Sequence, residues 1–307
     1  MKKVIVSGAN GFVGTALIKE LVAHDYEVYA LARKNHHDNI PYSQCVHLVE
    51  FDLAEAGKLL DLIPVDSYEA FYHLAWKGVA GSDRANPDVQ IINLQSTLDC
   101  LKVAKDLGCK RFIPTGSIME YESIEETYTQ GCQPGLGYIY GAGKVAAHIM
   151  CMSLAAHAGI DLIWPMITNT YGPGEKSPRL VNSTIRKCLA GISPQFTAGK
   201  QRYDFVYIDD VARAFRLIAE HGKPFHHYLI GSGHAKPLKE FLLEMKAAIA
   251  PNLDFLFGEV PFTGVDVPLR YFDCSDTEKD TGFKAAISFG EGCKRTMNWW
   301  KMQKDCL

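Results

Sequence analysis

The stretch Lys3-Val4-Ile5-Val6-Ser7-Gly8-Ala9-Asn10-Gly11-Phe12-Val13-Gly14 decides the fold. Lys3–Ser7 is a short apolar run that reads as a buried first strand. Three glycines follow at GxxGxxG spacing, and Phe12–Ala23 then carries Leu17, Ile18, Leu21 and Val22 at helical spacing. Strand, glycine turn and helix in that order form a dinucleotide-binding unit. One glycine permits the tight turn, another lets backbone approach a pyrophosphate, and a third lets the helix pack closely on the strand. The helix N-terminus aims N–H groups at the anion. Gly8, Gly11, Phe12, Val13 and Gly14 are therefore candidate cofactor contacts. A plain glycine turn is the alternative, disfavoured by the position between strand and helix.

Outward from this unit, Glu27–Ala32, Cys45–Phe51, Ala70–Ala75, Arg111–Pro114 and Leu162–Ile167 read as strands, and Asp88–Leu107 and Tyr138–Ala156 as helices. Such alternation builds βαβ units and a parallel sheet. Strands covered on both faces read as continuous apolar runs. After Asn169 the texture changes. Helices are predicted at Leu180–Ala190, Val211–Glu220, Leu238–Ile249 and up to Trp299-Trp300, with strands at Tyr203–Ile208 and Tyr228–Ile230. The expected fold is α/β. A Rossmann-type doubly wound parallel sheet takes residues 1–170, with returning segments near 203–230, and a smaller C-terminal substrate lobe takes most of 171–307.

The 307 residues are 47% hydrophobic and 22% charged with a net charge of −3, an ordinary globular composition. Mild acidity speaks against a general nucleic-acid binder, which needs clustered Lys and Arg. No apolar run reaches the ~20 residues of a membrane span, and Met1–Val6 lacks the longer apolar core of a signal peptide. Nine cysteines lie scattered from Cys45 to Cys306 without a CxxC pair. They read as free thiols of a reducing compartment, not as disulfides or a zinc site. A cytoplasmic protein without a metal, a membrane or a nucleic-acid partner is expected. His36-His37 and His226-His227 read as loop and strand residues, and Asp209-Asp210 as a helix N-cap before Val211.

The second strand ends in Ala32-Arg33-Lys34. An acidic residue there would bond ribose hydroxyls, whereas a cation suits a 2′-phosphate. Arg33 thus points to NADP(H) as preferred cofactor, with NAD(H) as the other choice. Further along, Tyr140-Gly-Ala-Gly-Lys144 places a phenol and an ammonium at i and i+4 on one helix face. A neighbouring cation lowers a phenol pKa from its usual ~10 and lets the tyrosine exchange a proton with a carbonyl or carbinol. Ser117 follows the fifth strand, where side chains face the ligand crevice, and is the candidate to hold the substrate oxygen. A surface Tyr/Lys pair and a capping serine are the bland alternatives.

With these residues the chain resembles the extended short-chain dehydrogenase/reductases, in the NAD-dependent epimerase/dehydratase group that acts on nucleotide sugars. Gly8–Gly14, Asp52-Leu53, His73-Leu74-Ala75, Asn93, Ser117, Tyr140/Lys144, Asn169-Thr-Tyr-Gly-Pro-Gly174, Tyr203–Asp210 and Asn298-Trp299-Trp300 carry the resemblance over essentially the whole chain. It implies catalytic roles for Ser117, Tyr140 and Lys144, with Tyr140 and Lys144 also touching the cofactor. It further implies adenine contacts by Asp52 and Leu53, a pyrophosphate and ribose contact by Ala75, and a substrate contact by Asn169. Arg179, Arg202 and Arg270 are candidate phosphate ligands, since guanidinium matches phosphate bidentately; each could equally be a surface charge. His73 reads as a packed core histidine.

The resemblance also narrows the reaction. The 4,6-dehydratases carry Thr-Asp-Glu before the tyrosine matching Tyr121, where this chain has Ser117-Ile118-Met119-Glu120; the carboxylates are out of register, Glu120 by one position, so dehydration is disfavoured. Decarboxylases place Glu where Met119 sits. Reduction and epimerisation remain. The expected activity is NADPH-dependent reduction of a nucleotide 4-keto-6-deoxysugar. The alternatives are a 4-epimerase with tightly bound NAD and, less favoured, a non-catalytic NADP-sensing regulator. A homodimer through the helices near Asp88–Leu107 and Tyr138–Ala156 is also implied.

Overall fold

The computed structural model describes residues 1–264 and 266–303; Cys306 lies outside them. The first half alternates as expected: β1 (Lys2–Ser7), α1 (Phe12–Ala23), β2 (Tyr26–Ala32), β3 (Val46–Glu50), the short α2 (Leu59–Leu62), β4 (Ala70–His73), α3 (Pro87–Asp106) and β5 (Arg111–Pro114). Next come β6 (Gly116–Ser117), α4 (Met119–Tyr128), α5 (Tyr138–Ala158), β7 (Asp161–Leu162), β8 (Trp164–Ile167) and β9 (Asn169–Tyr171). The rest holds α6 (Leu180–Leu189), β10 (Gln195–Phe196), β11 (Arg202–Tyr203), β12 (Phe205–Tyr207), α7 (Ile208–His221), β13 (His227–Ile230), β14 (Lys236–Pro237), α8 (Leu238–Ile249), β15 (Leu256–Phe257), α9 (Ser275–Thr281) and α10 (Phe289–Met302).

The main sheet runs β3-β2-β1-β4-β5-β7, all parallel. Its order reverses at β1, between β2 and β4, which sets the ligand crevice outside the carboxyl ends of those strands. The ladder then steps sideways. Thr115 separates β5 from β6 and Ile163 separates β7 from β8, and β6-β8-β13 continue as a second parallel set. The predicted strand Leu162–Ile167 is thus two strands with different partners.

Alternate residues of β1 explain the layering. Ile5 faces a cluster with Leu101, Phe112, Ala147 and Cys151 on the α3/α5 side. Val4 and Val6 face Leu17, Leu21, Phe215 and Ile218 on the α1/α7 side. A third cluster of Tyr171, Phe205, Phe241, Phe289 and Trp300 forms the core of the C-terminal lobe.

Four expectations need correction. The predicted strand Tyr203–Ile208 breaks at buried Asp204, whose carboxylate accepts the Ser232 N–H at 2.8 Å and ties β12 to the end of β13. Asp209-Asp210 do not cap α7, which already starts at Ile208 without a side-chain cap. Asp210 is buried instead and accepts the Ala286 and Ile287 N–H groups at 3.0 and 2.9 Å. Helix α4 was not foreseen; its mixed sequence, MEYESIEETY, has no clean apolar stripe. Lastly, α5 is 21 residues long and apolar enough to meet the length and composition of a membrane span. In this fold it packs against α3 and α4 and buries Tyr140 and Lys144.

Candidate active site

The glycine loop is built for close approach. Gly8 has φ +71°, and a Cβ there would lie 2.7 Å from the Ala75 nitrogen. A Cβ on Gly14 would strike the Gly8 carbonyl. Gly11 ends the turn through its N–H to the Gly8 carbonyl at 2.9 Å and caps α1 with no side-chain hydrogen bond. Phe12, Val13 and Gly14 form the first turn, whose N–H groups are open to an anion. These features fit a dinucleotide pyrophosphate. Arg33 and Asp52 are exposed, Leu53 and Ala75 half-buried. Asp52 caps the short 3-10 turn Leu53–Lys58 by accepting the Ala54 N–H at 3.0 Å. Ala75 lies directly beneath Gly8 and leads into Trp76.

Trp76 joins that loop to the catalytic candidates. The Lys144 ammonium sits 3.5 Å from its ring centroid and donates to the Thr115 carbonyl at 2.7 Å. Desolvation lowers the Lys144 pKa to about 7, against the favourable field of Glu120. Tyr140 is 7% exposed, with its ring edge-on to Trp76 at 6.3 Å. Burial raises its phenol pKa, while Arg84, the Ser117 hydroxyl and Arg179 pull it down. The expected lowering by Lys144 is therefore not what this geometry delivers. Lys144 is turned to Thr115 and Trp76, 5.9 Å from the phenol ring centroid, and the cation on the ring is Arg84, at 4.2 Å. Ser117 is buried, and its hydroxyl accepts the Met119 N–H at 3.2 Å.

Two glycines inside α5 have separate uses. A Cβ on Gly141 would meet the Met119 carbonyl at 2.5 Å, so this glycine admits α4. Gly143 admits Gln90 of α3, 3.1 Å from where its Cβ would be. Asn93 braces the loop after β4 by pairing with both Lys77 backbone groups at 2.9 and 2.7 Å.

The family model of the NAD dependent epimerase/dehydratase family matches residues 4–231. The chain belongs to that family. Over 97% of its length it is 22% identical to the trifunctional UDP-glucose 4,6-dehydratase/UDP-4-keto-6-deoxy-D-glucose 3,5-epimerase/UDP-4-keto-L-rhamnose-reductase RHM1 of Arabidopsis thaliana. The chain spans 47%, about half, of that longer protein. Its fold is similar to WbmF of Bordetella bronchiseptica, solved with NADH, at TM-score 0.80 and 21% identity over 99% of this chain and 93% of that one. It is also similar to the UDP-N-acetylglucosamine 4-epimerase of Methanobrevibacter ruminantium M1, solved with UDP-N-acetylmuramic acid, at TM-score 0.81 and 20% identity over 98% and 99%.

Within this epimerase/dehydratase fold, the candidate substrate residues divide. Asn169 donates to the Asp204 carbonyl at 3.1 Å beside the crevice. Arg179 reaches the Val79 carbonyl at 3.4 Å and joins the Tyr140 surroundings. Arg202 pairs with Asp266 at 3.0 Å and Arg270 with Glu125 at 2.7 Å, both on the surface. His73 is a core residue, within 2.9 Å of the Ser7 hydroxyl and 3.1 Å of the Thr97 hydroxyl. Among the described residues no group of three or more His, Cys, Asp or Glu could hold a metal. Arg84 and Glu122 escape sequence reading. Arg84 lies in the irregular loop after β4. Glu122 lies on unforeseen α4, with burial raising its carboxyl to about 7 near Arg84.

Proposed function

We propose that the chain reduces the 4-keto group of a nucleotide-linked sugar, with NADPH preferred and a 4-keto-6-deoxysugar as substrate. The carrying observation is the convergence of Ser117, Tyr140 and Lys144 beyond the glycine loop, linked to it by Ala75 and Trp76. A bound nicotinamide supplies the hydride. Tyr140 gives its proton to the oxygen as the carbonyl is reduced, and the Ser117 hydroxyl holds that oxygen in place. Lys144 supports the ribose side of the same site. Ile118 and Met119 leave no carboxyl in the dehydratase register, which favours reduction over dehydration. Exposed Arg33 forms no ion pair among the described residues and is available to a 2′-phosphate.

The test is stoichiometric NADPH oxidation in the presence of nucleotide 4-keto-6-deoxysugars; no turnover across a broad panel overturns the reading. One observation favours a 4-epimerase: the similar folds include a 4-epimerase and a protein solved with NADH. Tightly co-purifying NAD and interconversion of sugar epimers without net oxidation would decide for it. The exposed apolar side chains Ile91 and Ile92 on α3, and Ile149 and Met152 on α5, support a homodimer, which sedimentation equilibrium tests.

A further inference from the structure

Glu120 is only 2% exposed, in the first turn of α4 immediately behind Ser117. One carboxylate oxygen accepts the Ser117 N–H at 2.9 Å and the Trp164 indole N–H at 3.1 Å. The other lies 3.1 Å from His148 Nδ1. The His148 ring lies flat on Trp164, with centroids 4.3 Å apart and planes 2° apart. Gly116 makes room for the cluster, since a Cβ there would meet the Glu120 oxygen at 2.7 Å and strike the Trp164 indole. Strands β6 and β8 and helices α4 and α5 thus converge on one carboxylate.

Burying a carboxylate costs several kcal/mol unless donors and opposite charge offset it. Holding one backbone N–H does not require a charge, because a neutral amide oxygen accepts equally well. The charge has His148 beside it at 3.1 Å and, further off, an ammonium held on the Thr115 carbonyl two residues before Ser117. The Lys144 ammonium is desolvated, bonded to a carbonyl, and receives its largest favourable field from Glu120. Tyr140 also feels this carboxylate, as do His227 on β13 and Tyr121 on α4. His148, from the same helix as Lys144, closes the far side.

Resting on the catalytic reading of Ser117, Tyr140 and Lys144, we propose that Glu120 is a positioning residue of the active site. It fixes the Ser117 backbone through one oxygen, and its carboxylate is the buried counter-charge of Lys144.

The variant Glu120→Gln keeps size and acceptor but removes the charge. Two readouts need no substrate. The first is the ultraviolet titration of the Tyr140 phenol, isolated by subtracting the same titration of the Tyr140→Phe protein. It should fall by about one unit in E120Q, the low end of a nearby-charge effect, because the charge that opposes phenolate is gone. The second is the pH titration of the Lys144 Cε resonance, whose midpoint should move down in E120Q as the ammonium loses a favourable charge. An E120Q protein that folds and matches the wild type in both overturns the proposal. If E120Q does not fold, the Glu120 carboxyl carbon resonance of the wild type is followed with pH. It should carry a step that vanishes in Lys144→Met, and a missing step overturns the counter-charge. These outcomes are independent of which sugar, if any, is turned over, so failure of the reductase reading is separately visible.

Discussion

The guanidinium of Arg84 lies on the ring of Tyr140, 4.2 Å from its centroid. It comes from the 3-10 turn Ser82–Ala85 and donates to the Val79 carbonyl at 3.2 Å. Arg179 donates to that same oxygen at 3.4 Å from the other lobe. Two cations therefore attend a phenol whose acidity burial suppresses.

Arg84→Ala should slow the proposed reaction about tenfold, the effect of ~1.4 kcal/mol on the barrier. Arg84→Lys should recover only part of this, because an ammonium keeps the charge but not the planar stacking. Turnover of both variants under saturating cofactor measures the difference; equal rates for R84A and wild type would show that the contact is idle.

Tyr140→Phe should lose a factor of roughly 10² to 10⁴ in turnover, the usual worth of a positioned acid, while dinucleotide affinity by calorimetry stays close to wild type. A variant that keeps its full biological role without turnover would point to the regulatory alternative.

The buried His73 has its pKa pushed down to about 3 by desolvation, from 6.5. Above pH 6.5 both folded and unfolded chains hold it neutral. As pH falls from 6.5 to about 3, the unfolded chain takes up a proton that the folded one refuses, so stability drops through that window. His73 contributes on the order of 5 kcal/mol of this acid loss. Urea melts of His73→Asn and wild type should therefore converge as the pH is lowered, even if the variant is weaker at pH 7. A constant gap down to pH 4 would refute it.

Asp210 ties α7 to the loop before α10 through the Ala286 and Ile287 N–H groups, and pairs with Arg213 of the same helix, which donates to the Lys284 carbonyl. Asp210→Ala leaves those donors without their acceptor and should cost about 3 kcal/mol. A lowered urea midpoint at unchanged slope is the expected signature.

Patterning made the first half of the fold legible, since β1, β2, β4 and β5 are short, mostly apolar runs buried on both faces and α1 and α3 are longer segments between them. Local patterning could not show that Ile163 and Asp204 interrupt strands, because the interruption is a change of partner far along the chain. Helix α4 stayed hidden because four of its ten residues are glutamates and no apolar stripe runs along it. In the site, the YxxxK spacing placed Tyr140 and Lys144 on one helix, but the direction of the ammonium depends on Thr115 and Trp76, which follow β5 and β4. Arg84 had no sequence signal: it sits in a loop and matters only through its contact across to α5.

The sideways step of the sheet also orders events during synthesis. Strand β8 ends at Ile167, but its outer neighbour β13 ends at Ile230, about three quarters of the way along the chain. A nascent polypeptide long enough to form the glycine loop and α5 still presents β8 with one open edge. Open edges invite pairing with other chains. That edge is closed only when residues 227–230 have been made, so a pause in translation before them would lengthen its exposure.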